Sequence, residues 1–250
     1  MRNMIFIPHL GLGDHFLTNG LLRYLSKDKD IIAMPVKQNN FWTIRRMFAD
    51  MENLCLIPLN GSSIYSDDFH VKAALALKDF YHQMGYETVG VGHFGEQVAK
   101  FYQFLSAGGT PDVFFYEELG VDIKEKYDSF KIHKSLEREK FIFDSFGIEP
   151  GGYAFVHDDP SRGRTVNRSH IPSDLKVITP SKKFYSGDIV GYGMVIENAA
   201  ELHYMNSSFS DLSDFMDLSR VKRRVMHLYA RTPGDPETSV SYRHEFDIIR

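Results

Sequence analysis

The segment Met4-Ile5-Phe6-Ile7-Pro8-His9-Leu10-Gly11-Leu12-Gly13-Asp14-His15-Phe16-Leu17 sets the fold class of this chain. Met4 to Ile7 is a short apolar run with no polar face, which suits a strand covered on both sides. Pro8 ends it, and the glycines at 11 and 13 mark a turn. Phe16, Leu17, Leu21, Leu22 and Leu25 then follow at helical spacing. Strand, glycine turn and helix in that order make the first half of a βαβ unit.

The same pattern continues outward. Residues 31–36, 54–59 and 87–92 read as further strands, and the second of these closes on the turn pair Asn60-Gly61. Helical spacing covers 40–48, 71–81 and 99–105. Short apolar strands alternating with helices predict an open parallel sheet, whose ligands lie beyond the carboxyl ends of the strands. The loop carrying Gly11 and Gly13 falls at such an end.

Residues 107–135 break the alternation. A helix over 135–146, stopped by Gly147 and followed by Pro150-Gly151-Gly152, reads as the connection to a second series. That series has strands at 153–157, 176–179, 201–205 and 225–229, with helices at 188–200 and 209–218. The predicted class is α/β, as two small Rossmann-like domains facing a cleft, with boundaries at 1–134 and 135–250. Each is within the usual domain size.

Composition excludes several classes. At 250 residues the chain can bury a core without disulfide or metal staples. A net charge of −4 argues against a general nucleic-acid binder, and the short basic run 220–224 reads as a solvated edge. The single cysteine, Cys55, allows neither an intramolecular disulfide nor a cysteine-based zinc site. Its apolar neighbours Leu54, Leu56 and Ile57 predict a buried, inert thiol. No signal peptide and no run of about 18 apolar residues is seen, which predicts a cytoplasmic protein without an integral membrane segment. His-Glu-x-x-His and Gly-x-Ser-x-Gly patterns are absent, so no zinc-peptidase or serine-hydrolase reading arises.

Three constellations carry chemistry. The first is Gly11-Leu12-Gly13-Asp14-His15, where the glycines permit close backbone approach to a ligand. It lacks the third glycine of a dinucleotide fingerprint and the lysine of a P-loop. Asp14 is either a helix N-cap or a carboxylate aimed at a ligand, and His9 and His15 flank it. The second is His157-Asp158-Asp159-Pro160-Ser161-Arg162-Gly163-Arg164, with Arg168 beyond. Its three arginines suit a phosphate, or else pair with Asp158 and Asp159 at the surface. The third is Met205-Asn206-Ser207-Ser208-Phe209-Ser210, a polar turn after a strand that either caps a helix or meets a phosphate. His203 and His227 lie within strands and read as core histidines.

Residues 5–25 resemble the opening of GT-B glycosyltransferases of the heptosyltransferase type. There a Gly-Asp pair follows the first strand and the aspartate faces the acceptor as a candidate general base. The resemblance implies Asp14 in that role, with His15 beside it as a second candidate catalytic residue and Gly11 and Gly13 as the backbone loop. The segment from His157 resembles the donor motif of fucosyltransferase-like GT-B enzymes, and Ser207-Ser208-Phe209-Ser210 resembles their C-terminal Ser-Ser-Phe-Ser element. Together these imply donor-binding residues His157, Arg162, Arg164, Arg168, Ser207, Ser208 and Phe209, with the responsible arginine left open. The implied protein is a metal-independent, inverting glycosyltransferase, with a nucleotide-sugar co-substrate, a glycan or other hydroxyl acceptor, and no cofactor. Three alternatives remain: a metal pair at Asp158-Asp159, a non-catalytic nucleotide or sugar-phosphate binding module, and a Rossmann-type oxidoreductase. The missing third glycine and the absent ribose acid weigh against the last.

Overall fold

The computed structural model describes residues 2–60, 67–92, 97–159, 163–181, 188–228 and 240–250. The chain divides into two compact units, Met1–His133 and Lys134–Arg250. The helix expected to connect the two halves belongs to the second.

The first unit runs β1 (Met4–Ile7), α1 (Leu12–Leu17), α2 (Asn19–Leu25), β2 (Ile32–Lys37), α3 (Phe41–Met47), β3 (Leu54–Leu59), α4 (Asp67–Gln83) and β4 (Glu87–Gly90). The four strands are parallel in the order β3-β2-β1-β4. All of β1 is buried, because it is an interior strand with helices on both faces. Ile5, Ile7, Ala33 and Leu59 share one core cluster with Ala74 of α4. The edge strand β3 is only partly covered, and this overturns one expectation: Cys55 is exposed rather than buried.

The helix expected through Leu25 is broken at Thr18. The cause is the buried phenol of Tyr116, which enters the helical ladder. Leu21 N–H donates to the Tyr116 hydroxyl at 2.9 Å, and that hydroxyl donates to the Leu17 carbonyl at 3.1 Å. A side chain inserted between i and i−4 partners is a recognised source of such breaks. Tyr116 comes from α6 (Pro111–Glu117), which with α7 (Glu125–Asp128) occupies the stretch whose pattern was irregular, after α5 (Gln97–Ser106), the helix expected over 99–105. A fully buried ion pair, Lys126 Nζ to Asp112 Oδ2 at 2.9 Å, ties α7 to α6. Gly20 of α2 lies against the Glu125 carbonyl, where a Cβ would overlap.

The second unit runs α8 (Leu136–Ser145), β5 (Tyr153–His157), β6 (Lys176–Ile178), α9 (Gly193–Glu197), β7 (Glu201–Met205), α10 (Ser208–Ser213), β8 (Arg223–His227) and β9 (Asp247–Ile249). Its parallel sheet has the order β6-β5-β7-β8-β9. Ser135 caps α8 and Gly147, at φ +55°, follows its end, a left-handed position suited to glycine. Two readings change. Residues 188–200 form a 3-10 turn and the short α9 rather than one helix, and β9 was not foreseen. The basic run leads into β8, which takes up Arg223 and Arg224, and Arg223 pairs with Asp247 of β9 at 3.0 Å.

Candidate functional site

In an open parallel sheet, the ends of two neighbouring strands part where the strand order reverses, and the loops there line a crevice. Each unit has one such point. In the first sheet it lies between β1 and β4; in the second, between β5 and β7. The residues singled out from sequence fall at both.

At the end of β1, Gly11 is the N-cap of α1 and supplies no side-chain cap. Asp14 is therefore the third helical residue and not the cap that the alternative reading required. Its Oδ2 lies 2.5 Å from His9 Nδ1. A Cβ on Gly11 would overlap that same oxygen, so the glycine is needed here for room; its φ of −71° is ordinary. The His9 ring stacks on Phe115 at 5.8 Å and lies 6.0 Å from Phe101. From β4, Gly92 at φ +80° packs beside the same rings: its Cβ would stand 2.6 Å from Phe115 and 3.4 Å from His9. Gly92 N–H donates to Glu118 at 3.0 Å, and burial pushes that carboxyl upward from the usual range. Gly13 is the second residue of α1. His15 is buried, and that burial, opposed by the Asp14 charge, lowers its imidazole to about 4. It is neutral and faces the core side of α1.

At the second reversal the two motifs expected to bind a donor meet. His157 ends β5, Ser207 follows β7, and His157 Nδ1 lies 2.9 Å from Ser207 Oγ. Burial brings His157 down to about 4 against the pull of Asp159 and Asp158, so its ring is neutral. Ser207 N–H donates to Ser210 Oγ at 3.0 Å, which fixes the turn at the start of α10. Ser208 opens α10. Phe209 is fully buried, 4.5 Å from the His157 ring, and packs on Phe155 and Tyr192. It supports the turn from below.

The arginine loop is organised by its own carboxylate. Arg168 grips Asp158 as a fork, Nη1 to Oδ1 at 3.0 Å and Nη2 to Oδ2 at 2.7 Å, while Asp158 Oδ1 also accepts from Val166 N–H at 2.7 Å. Arg164 exchanges both backbone hydrogen bonds with Asp159, each at 3.0 Å. Arg162 lies outside the described residues. Both oxygens of Asp158 are on Arg168 and Asp159 is buried, and among the described residues no group of three or more His, Cys, Asp or Glu could hold a metal. Nor is any described helix long and apolar enough to cross a membrane.

Of the arginine alternatives, pairing with Asp158 is the one the structure shows for Arg168. Sequence reading missed two other contacts. The His9–Asp14 pair carries a spacing signal, a His and an Asp on either side of the glycine turn. The second is the fully buried pair His203 and His227, Nδ1 to Nε2 at 3.2 Å, with His203 Nε2 2.9 Å from Glu201. These two are core histidines, and they are chained to each other and to a carboxylate.

No family model matches the chain, and no curated protein matches it in sequence. Among solved structures it is similar to E. coli ADP-heptose LPS heptosyltransferase II, at 12% identity and a TM-score of 0.52, covering 100% of this chain and 90% of that one. E. coli heptosyltransferase WaaC, solved with ADP, also matches at 12% identity, covering 95% of this chain and 90% of that one, but its TM-score of 0.41 carries no argument. What the first likeness shows is the fold alone: α/β units built on parallel sheets, shared over 90% of that heptosyltransferase's length.

Proposed function

We propose that this chain is a glycosyltransferase that moves a sugar from a nucleotide-sugar to a hydroxyl acceptor. The observation that carries the reading is the 2.9 Å contact of His157 with Ser207, which joins two motifs fifty residues apart at the strand-order reversal of the second sheet. Donor diphosphate binds there, against the arginine loop and the Ser207-Ser208 turn. Arg168 sets the shape of that loop through Asp158. The acceptor binds at the corresponding point of the first unit, beside Asp14.

Asp14 takes the acceptor hydroxyl proton as the new bond to the anomeric carbon forms, and the departing nucleoside diphosphate is stabilised by guanidinium and hydrogen-bond donors. A base on the acceptor makes this a direct displacement, which inverts the anomeric centre. No divalent cation takes part.

The test is a panel of nucleotide-sugars, scored by the rise in melting temperature and by sugar release with and without EDTA. The expected result is one nucleotide class that stabilises the chain, with slow hydrolysis of its sugar in the absence of acceptor and no effect of EDTA. Binding without transfer or hydrolysis would leave a nucleotide-binding module. Binding abolished by chelation would restore a metal role to Asp158 and Asp159. Asp14→Asn is expected to cut transfer at least about a hundredfold while donor affinity holds.

A further inference from the structure

In the first unit a carboxylate and an imidazole share one hydrogen bond at the strand-order reversal, and either could be the group that takes a proton. His9 and Asp14 are both partly exposed, at 23% and 20% of their side-chain surface. Their polar atoms are placed differently. The ring atom that could act as a base is Nε2, since Nδ1 faces Asp14, and Nε2 is buried. An acceptor hydroxyl cannot reach it. The ring is also held on its faces by Phe115 and Phe101, and Gly92 closes on its edge. An imidazole wedged in this way is well placed to orient a neighbour and badly placed to meet a substrate.

From this geometry we infer that His9 is a positioning residue for Asp14: its Nδ1–H donates to Oδ2 and pins the carboxylate, leaving the other oxygen to take the acceptor proton. This rests on the transferase reading above. The order of roles is the reverse of a serine-protease triad, where the carboxylate orients and the imidazole reacts. Gly11 belongs to the same device. Its missing side chain leaves the space that Oδ2 occupies, so the glycine and the histidine confine the carboxylate from two sides. The proton balance is simple. Asp14 receives the hydroxyl proton on its outer oxygen as the acceptor oxygen forms its bond, and the His9 proton stays on Nδ1 throughout.

The test compares His9→Asn with His9→Leu. Asparagine places an N–H donor where Nδ1 stood but cannot serve as a base; leucine offers neither. For a positioning role, His9→Leu lowers kcat about 10–100-fold, the loss set by one hydrogen bond to a charged group. His9→Asn recovers most of that loss, and KM for donor is unchanged in both. If His9→Asn is as slow as His9→Leu, the imidazole is itself the base and the inference is overturned. A double variant with Asp14→Asn separates the roles further: His9→Leu is expected to cost nothing more once the carboxylate is gone, and a further loss overturns the inference.

One readout does not depend on turnover. Imidazole ¹⁵N NMR at pH 8, above the ordinary imidazole range, is expected to show His9 as the Nδ1–H tautomer, and Asp14→Ala is expected to release that preference. An Nε2–H tautomer in the wild-type chain overturns the pairing whether or not the variants fold. A wild-type chain with the Nδ1–H tautomer that moves no sugar from any donor keeps the pairing and refutes the transferase reading, so the two failures are distinguishable.

Discussion

Lowering the pH from 7 to 5 is expected to destabilise this protein far more than its modest charge suggests. Burial drives three imidazoles from 6.5 down to about 4: His15 in the first unit, His157 and His227 in the second. Each takes a proton more readily in the unfolded chain than in the folded one. Their contribution is thus whole above 6.5 and is lost as the pH falls from 6.5 toward about 4. At pH 5 the unfolded imidazoles are almost all charged and the folded ones almost all neutral, which costs about 2 kcal/mol for each group. His15 and His157, titrating independently, together account for a loss of about 4 kcal/mol, a large part of the roughly 5–15 kcal/mol that holds a domain folded. His203, also lowered by burial, adds to the second unit; it is bonded to His227, and the two titrate as a pair. Glu118, raised by burial, works in the opposite direction in the first unit. Ordinary carboxylates titrate near pH 4 and contribute little in this window. The assay is urea unfolding at both pH values at fixed ionic strength, with amide exchange resolving β1 and β2 from β5 and β7. Protection at β5 and β7 is expected to fall at least about twice as far. An unchanged urea midpoint, or equal losses in the two units, would refute buried neutral histidines as the cause.

Two further substitutions test the packing and the arginine loop. Gly20→Ala raises helix propensity by about 1 kcal/mol yet is expected to destabilise the protein by about 1–3 kcal/mol, because its Cβ meets the Glu125 carbonyl beside the buried Lys126–Asp112 pair; a rise in melting temperature would contradict that close approach. Arg168→Ala and Asp158→Asn are expected to weaken nucleotide-sugar binding by similar factors in calorimetry, since each opens the same fork; stronger binding by Asp158→Asn would mean that Arg168 itself reaches the phosphate once released.

Much of the fold was legible because it follows from short, local patterns. Met4 to Ile7 and Tyr153 to His157 are interior strands, and an apolar run with no polar face is how such strands are written. Edges were harder to read. Cys55 sits in an equally apolar run, but β3 is the last strand of its sheet and leaves that side chain in solvent. β9 is three residues long and is recognisable only by its pairing with β8. The break at Thr18 was invisible because it comes from Tyr116, about a hundred positions away, whose hydroxyl takes the place of one helical hydrogen bond. No window of local sequence contains that information.

At the candidate site the loops could be located from sequence, while the work of each side chain turned on a boundary of a few residues. A helix entered through a glycine leaves no capping side chain to mark its start. Had α1 begun after Asp14, that carboxylate would have bonded its own helix as an N-cap. With Leu12 as the first helical residue, Asp14 falls at the third position. Helical side chains lean toward the N-terminus, so Asp14 leans back over the turn and meets His9 at the end of β1. The same logic governs the second unit. Arginines at 164 and 168 read alike in sequence, yet one exchanges backbone hydrogen bonds with Asp159 and the other is locked in a fork on Asp158. In both loops a nearby carboxylate decides how a neighbouring side chain is held. A local acid is therefore part of the site's architecture as well as its chemistry: Asp14 is confined by His9 and Gly11, and Asp158 confines Arg168.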